Sequence, residues 1–168
     1  MSPRTIPGPY DPAEMRLFLD TFLYEEEGFF VDEVVQLDAE RREIRARLDT
    51  TRFLPIARYQ RVRPDHPAHV SGGELVSVTG DLGCLHAWFF HGVRWDEGWV
   101  GYGNRIHRAD FRELTRIGPP LELHSRETRS RVGPRRIMIR FEFEFSQGET
   151  AIYYGDQSAL FIRDARLE

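Results

Sequence analysis

The sequence predicts an α+β fold in which one antiparallel sheet wraps around a long central helix. Three features carry this prediction: strict two-residue alternation over residues 137–145, an apolar segment with helical spacing over residues 73–91, and turn signals between the other alternating segments. A length of 168 residues, of which 40% are hydrophobic, is enough for one domain with a continuous core.

The first predicted elements are an irregular lead over residues 1–10 and a short helix. The lead has three prolines and a glycine without periodicity, so we expect a single domain over residues 11–168. Asp11, Pro12 and Glu14 suit the N-cap, N1 and N3 positions of a helix. Apolar residues then recur at helical spacing and predict one buried face, made of Met15, Phe18, Leu19 and Phe22.

A β-hairpin is predicted next, because the period of the pattern changes to two. Its first strand is expected to place on one face Phe29, Val31, Val35 and Leu37. After a polar turn over residues 38–43, the second strand does the same with Ile44, Ala46 and Leu48. Residues 52–71 contain three prolines and predict a long ordered loop, and loops of this length inside a domain are usually functional.

The most apolar segment, residues 73–91, is predicted to be a buried central helix. Spacings of three and four relate its apolar residues, which are Leu75, Val78, Leu82, Leu85 and Phe89. Gly80 and Gly83 each cost about 1 kcal/mol relative to alanine in a helix interior. That cost is tolerable if the glycines allow another element to approach closely.

The rest of the chain is predicted to be strands. Extended segments are expected over residues 99–113, 121–131 and 137–145, and a turn at 146–149 leads into a last strand over 150–162. The aromatic residues around the end of the helix are expected to be core rather than a substrate tunnel; these are Trp88, Phe89, Phe90, Trp95 and Trp99.

Composition excludes several classes of protein. A net charge of −4 argues against non-specific nucleic-acid binding. All 23 basic residues are arginine, so Schiff-base and P-loop lysines are excluded. Cys84 is the only cysteine, which excludes an intrachain disulfide and a CxxC site. The sequence offers neither a membrane span nor the apolar core of a signal peptide, so a cytoplasmic protein without membrane partners is expected.

Three segments resemble the β-hydroxyacyl-ACP dehydratase family of the hot-dog fold, where ACP is acyl carrier protein. They read FFVDEVVQLD (29–38), RPDHPAHVSGGELV (63–76) and HRADFRELTRIGPPLEL (107–123). The resemblance implies that His66 or His69 is the catalytic histidine. The family's acidic partner would fall at Ser77 or Val78, and neither is a carboxylate.

A second resemblance points to hydrolysis. HVSGGEL (69–75) is similar to a stretch of the long-chain fatty acyl-CoA thioesterase branch of the same fold, with Tyr59 near that branch's tyrosine. Other hot-dog thioesterases have an acid about two turns into the helix after a Gly-Gly pair. Asp81, eight residues after Gly73, is close to that spacing.

The candidate site combines these residues. On a helix, Glu74, Ser77 and Asp81 fall within a sector of about 60° beside the apolar stripe. Burial makes a carboxyl group a usable general base, so Asp81 or Glu74 is expected to act with His66 or His69. Alternatively, Glu74 complements the helix dipole, and Asp81 pairs with an arginine.

Substrate contacts are implied by the resemblance. Hot-dog enzymes polarise the thioester carbonyl with a backbone N–H at the start of the central helix, and Gly72 and Gly73 permit that approach. Ser77 and Tyr59 are further candidate binding residues. The arginine-rich segment 126–136 is either a contact for the phosphates of coenzyme A (CoA) or for ACP, or a solvated edge. Neither a metal nor another cofactor is expected.

Three functions stay open from the sequence. The first is hydrolysis of acyl-CoA or acyl-ACP by a homodimer, or dimer of dimers, with sites between subunits. The second is dehydration or hydration of 3-hydroxyacyl thioesters, and the third is non-catalytic binding of acyl-ACP. All three place the protein in fatty acid or polyketide metabolism.

Overall fold

The computed structural model describes residues 4–163, so the ends of the predicted segments 1–10 and 11–168 lie outside the described residues. One six-stranded antiparallel sheet dominates it, in the order β1-β2-β6-β7-β8-β4. The strands are β1 (Glu33–Asp38), β2 (Glu43–Leu48), β3 (His69–Val70), β4 (Trp99–Phe111), β5 (Thr115–Arg116), β6 (Leu121–Val132), β7 (Arg136–Gln147) and β8 (Thr150–Arg163). The helices are α1 (Pro12–Thr21), α2 (Pro55–Arg58) and α3 (Gly72–His91).

Helix α1 confirms the capping prediction. The Asp11 side chain accepts a hydrogen bond from the backbone N–H of Ala13, and Pro12 opens the first turn. The segment before the helix is packed on the domain, because Ile6 is buried and the carbonyl of Pro7 accepts the N–H of Val34. The first ten residues are therefore part of the fold where they are described, which the proline content did not predict.

The first hairpin differs from its predicted face. β1 begins at Glu33, so Phe29 and Val31 precede the strand, although both are buried. A register irregularity between Val34 and Gln36 then buries Val34 and exposes Val35. Val35 is the extra residue of this bulge and has no partner on β2, which corrects the prediction for Val35. In β2, the expected Ile44, Ala46 and Leu48 are buried.

The predicted loop over residues 52–71 contains α2 and ends in β3. β3 pairs with β5 in a separate two-stranded sheet, which the sequence did not indicate.

Helix α3 lies against the sheet and forms the centre of the core. Its predicted stripe is confirmed for four residues that are at most 2% exposed: Leu75, Val78, Leu82 and Leu85. The opposing layer comes from β7, whose alternation buries Ile137, Ile139, Phe141, Phe143 and Phe145. Three of the expected core aromatics are also buried: Trp88, Trp95 and Trp99. The architecture is the predicted α+β arrangement of a sheet around a helix.

Candidate functional site

A groove of about 590 Å³ lies beside α3, where the helix faces the edge strand β4. Its walls come from α3, β4, β7, β8 and the segment 22–30. The walls are mostly apolar, and the aromatic side chains that line the groove are Phe22, Tyr24, Phe30, Tyr102, Phe141, Phe143 and Phe161. Groove volumes of about 300–1,000 Å³ with such walls are typical of small-molecule sites.

One face of α3 forms a wall of this groove. Ser77, Gly80, Asp81 and Cys84 follow the spacing i, i+3, i+4, i+7, and all four line it. A Cβ atom built at Gly80 meets no other atom within 4 Å, whereas one at Gly83 meets the Phe141 ring at 3.5 Å. A side-chain Cβ atom at Gly83 would thus be in ordinary van der Waals contact with the sheet, and Gly80 leaves the groove open.

Asp81 is the acidic side chain in the groove wall. It is only 5% exposed, and its Oδ2 accepts a hydrogen bond of 2.8 Å from the backbone N–H of Phe30. Burial raises the pKa of this carboxyl group to about 8, although the Phe30 N–H and the charges of Arg52 and Arg4 act in the opposite direction. A carboxyl group with a pKa in this range can exchange a proton near neutral pH.

Glu74 lies in a different environment on the same helix. Its Oε1 accepts the backbone N–H groups of Ile56 and Ala57 at 2.8 and 3.0 Å, and its Oε2 accepts that of Ser71 at 2.9 Å. The Ser71 hydroxyl accepts the Glu74 N–H in return, which completes a capping box. Glu74 is 2% exposed and fixes α2 against the start of α3, which agrees with the structural alternative for this residue.

The two loop histidines do not meet Asp81 within one copy of the chain. Their rings lie 5.1 Å apart, and His69 Nδ1 is 2.9 Å from the carbonyl oxygen of Pro67. His69 lines a second, smaller pocket of about 210 Å³ at the start of α3. In the described part of the chain neither imidazole lines the groove. The pocket of His69 lies at the start of α3, and Asp81 lies nine positions after Gly72, about 13.5 Å along the helix. The described single chain therefore does not bring His66 or His69 together with Asp81, and their pairing between two copies stays a prediction.

The other predicted site residues are divided between the groove, the second pocket and the protein surface. Ser77 lines the groove with Asp81, and its hydroxyl donates to the carbonyl of Gly73 at 3.1 Å. Gly72 lines the second pocket, where a Cβ atom would lie 2.8 Å from the Phe111 ring. At Gly73 a Cβ atom would lie 3.0 Å from Ile56. Tyr59 is 83% exposed and lines neither cavity.

Further polar groups that the sequence did not indicate line the groove on α3, β4 and β8. The hydroxyl of Thr79 donates to Gln157 Oε1 at 3.0 Å, and Gln157 Nε2 donates to the Tyr153 hydroxyl at 2.8 Å. Asn104 and Arg105 from β4 also line the groove. The sequence contains no signal for Asn104, Arg105 and Gln157, because only the pairing of β4 with β8 brings these residues beside α3.

Cys84 is not suited to act as a nucleophile in this groove. Burial, together with the charge of Asp81, raises the pKa of its thiol. The thiol therefore stays protonated, and only the thiolate is strongly nucleophilic.

In the described part of the chain, neither a metal-ligand cluster nor a residue of the basic segment 126–136 lines the groove. Within residues 4–163, no group of three or more His, Cys, Asp or Glu side chains is placed to hold a metal ion. The arginines of segment 126–136 lie on β6, β7 and the turn between them, and Arg126 forms an ion pair with Glu142. In the same range no helix combines the length and apolarity that a membrane span requires.

Comparisons with protein-family models and with curated protein sequences find no significant match. Solved structures do match. A mutant form of the fluoroacetyl-CoA-specific thioesterase FlK, in complex with fluoroacetate and CoA, superposes with a TM-score of 0.53 and 14% identity, over 75% of this chain and 96% of that one.

Two bacterial structures match similarly. A mutant form of thioesterase PA1618 from Pseudomonas aeruginosa has a TM-score of 0.51 and 12% identity, over 77% of this chain and 80% of that one. The HP0420 homologue from Helicobacter felis has a TM-score of 0.52 and 12% identity, over 84% of this chain and 96% of that one. At such identities the likeness concerns the backbone, and it shows that this chain has the hot-dog fold.

Proposed function

We propose that this protein hydrolyses acyl thioesters, with Asp81 as the general base. The observation that carries the proposal is the position of Asp81, which is a buried carboxyl group in the wall of an apolar groove large enough for an acyl chain. The names of similar structures, FlK and PA1618, describe thioesterases, which supports this reaction class.

The proposed reaction needs one carboxylate. Asp81 removes a proton from a water molecule whose oxygen bonds to the carbonyl carbon of the thioester. The C–S bond then breaks, and the proton passes from Asp81 to the leaving sulfur. Asn104 and Gln157 line the same groove and are the candidate donors to the carbonyl oxygen, since the Ser77 hydroxyl already donates to the Gly73 carbonyl. The aromatic walls exclude water from the acyl chain and hold it by burial of apolar surface.

Dehydration is less well supported than hydrolysis. The dehydratase resemblance implies a catalytic histidine, His66 or His69, and neither lines the groove that holds Asp81 in the described part of one chain. Both CoA and ACP remain candidate carriers of the acyl group. Arg105, which lines the groove on β4, is a candidate contact for a carrier phosphate.

We further propose that the enzyme is a homodimer formed through β4. This strand of 13 residues is an edge of the large sheet, and its exposed apolar side chains include Tyr102 and Ile106, both of which line the groove. Antiparallel pairing of β4 with its copy obeys two-fold symmetry and covers backbone groups that would otherwise stay unpaired. It would also place residues of the second copy near the open side of the groove.

The test is steady-state hydrolysis of a panel of acyl-CoA and acyl-ACP thioesters by wild type and Asp81→Asn. We expect kcat to fall by about 100-fold or more, which is typical for loss of a general base. Asp96→Asn is the matched control, because Asp96 is an exposed aspartate in the turn 95–97. Equal rates for wild type and Asp81→Asn would exclude the mechanism.

Two readouts test the alternatives in the same samples. Absorbance of an enoyl thioester formed from a 3-hydroxyacyl substrate would indicate a dehydratase. Tight binding of acyl-ACP without turnover of any thioester would indicate a binding protein.

A further inference from the structure

A single peptide group connects Asp81 to two arginines outside the groove. The N–H of Phe30 donates to Asp81 Oδ2 at 2.8 Å. The carbonyl of the same peptide group belongs to Phe29, and it accepts Arg4 Nη1 at 2.6 Å and Arg52 Nη1 at 2.9 Å. The carboxyl group and the two guanidinium groups thus contact opposite ends of one peptide dipole.

The arginines are themselves held in place. Both form ion pairs with Asp32, and Arg52 Nη1 lies 3.0 Å from its Oδ1. The Arg52 guanidinium also lies over the Phe30 ring, 5.5 Å from its centroid, and its side chain is only 16% exposed. A positive charge held in a poorly solvated place acts on its neighbours more strongly than one in water.

We infer that Arg52 is a positioning residue for Asp81: with Arg4 it holds and polarises the Phe29–Phe30 peptide group that binds the Asp81 carboxyl group. This inference deepens the proposed function, since it concerns the same carboxyl group. Hydrogen bonds at a carbonyl oxygen strengthen donation by the N–H of that peptide group, because hydrogen bonds in a chain polarise one another. Donation to the carboxylate favours its charged form, which is the form that a general base requires.

Arg52 and Arg4 are the positive charges that lie outside the groove near Asp81, and they favour ionisation of its carboxyl group. On its own helix the nearest titratable neighbour is Cys84, whose raised pKa keeps the thiol neutral. Across the groove lies Arg105 on β4, which is exposed. Asp32 offsets part of the arginine charge, so the net effect on Asp81 is moderate rather than large.

The test is a direct titration of Asp81 in the full-length protein. Carbon-13 NMR of aspartate-labelled protein would follow the carboxyl signal, which is assigned by its loss in Asp81→Asn. We expect Arg52→Gln to raise the midpoint by about 0.5 to 1 pH unit, and Arg52→Lys, which keeps the charge, to return at least half of that change. The pH profile of kcat/KM should move in the same direction.

Arg94→Gln is the matched control. Arg94 also pairs with a carboxylate, Glu14, donates to a backbone carbonyl and covers the ring of Trp88, but it does not contact residues 29–32. We expect it to lose comparable stability and to leave the Asp81 titration unchanged. If Arg52→Gln does not fold, Arg4→Gln removes the other guanidinium group that contacts this peptide group. The same direction of change in the Asp81 midpoint is then expected.

An unchanged Asp81 midpoint in a folded Arg52→Gln or Arg4→Gln variant would overturn the inference, as would an equal change in Arg94→Gln. The titration does not need a substrate. A protein that hydrolyses no thioester but shows the expected change in the midpoint therefore contradicts the proposed function while supporting the role of Arg52.

Discussion

The backbone N–H of Phe30 donates to the carboxyl group of Asp81 across 2.8 Å, and the two residues are 51 positions apart in the chain. This contact joins the segment before β1 to the middle of α3 and fixes one oxygen of the carboxyl group. Burial raises the pKa of Asp81. The charged form of the carboxyl group that accepts this hydrogen bond is therefore disfavoured in the folded protein.

The first prediction concerns the stability of Asp81→Asn. With a folded pKa of about 8, against 3.8 as the ordinary value, Asp81 keeps a proton in the folded state over a range where the unfolded chain has lost it. The ionisation of Asp81 should therefore contribute a loss of stability as pH rises from about 4 to 8. Asparagine can still accept the Phe30 N–H but has no charge to bury, so we expect it to be more stable by about 1–3 kcal/mol at pH 8. Urea denaturation at pH 5 and pH 8 measures this, and an equal difference at both values would contradict it.

The second prediction concerns the pH dependence of hydrolysis. If the ionised form of Asp81 is the base, kcat/KM should rise about tenfold per pH unit below pH 8 and level off above it. At pH 7 only about a tenth of the free enzyme would hold the active form. Initial rates between pH 5.5 and 9.5, corrected for spontaneous hydrolysis, measure the profile. A profile that is already level at pH 6 would mean that another group limits the reaction.

Gly80 should control the size of the acyl group. A side chain at this position adds atoms where the groove is open, since a Cβ atom there meets nothing within 4 Å. We expect Gly80→Leu to lower kcat/KM for long acyl chains by about tenfold or more and to leave acetyl thioesters nearly unaffected. Gly80→Ala should have a small effect on rates and stabilise α3 by up to about 1 kcal/mol. A uniform loss over all chain lengths would place Gly80 outside the acyl site.

Glu74 should contribute to stability rather than to chemistry. Its carboxylate accepts three backbone N–H groups at the junction of α2 and α3, and glutamine keeps only one good acceptor for them. We expect Glu74→Gln to cost about 1–3 kcal/mol in denaturant unfolding. The pH profile of the remaining activity should match wild type. Glu149→Gln, at an exposed turn position, serves as the control and should be neutral. A changed pH profile in Glu74→Gln would assign it to the mechanism.

His86 should limit stability in acid. Burial lowers the pKa of its imidazole to about 3, although Glu127 acts in the opposite direction, and its Nε2 lies 2.9 Å from the Ser125 hydroxyl. The unfolded chain binds this proton below about pH 6.5, so His86 should contribute a loss of folded-state stability as pH falls from 6.5 towards 3. A folded His86→Gln variant should show a flatter dependence in this range, measured by denaturant unfolding. His107→Gln, at an exposed histidine, should keep the wild-type slope.

Local patterns in the sequence were sufficient for most elements. The cap at Asp11, the stripe of α3 and the alternation of β7 each depend on neighbours within a few residues, and the structure confirms them. The sequence also placed Ser77 and Asp81 on one side of α3, because helical spacing alone decides that. Val35 could not be predicted, because the irregularity in β1 depends on pairing with β2 rather than on the local pattern.

The environment of each acid was decided only by the tertiary structure. Glu74 and Asp81 are two turns apart on one helix and chemically alike, and the sequence could not tell which one is a cap and which one faces a groove. Glu74 meets the N–H groups of α2, whereas Asp81 meets Phe30 and the open space beside β4. The separation of the loop histidines from Asp81 within one chain could not be predicted from the sequence either. The physical reason is that burial and charge depend on groups that are distant in the chain, and only folding determines which of them become neighbours.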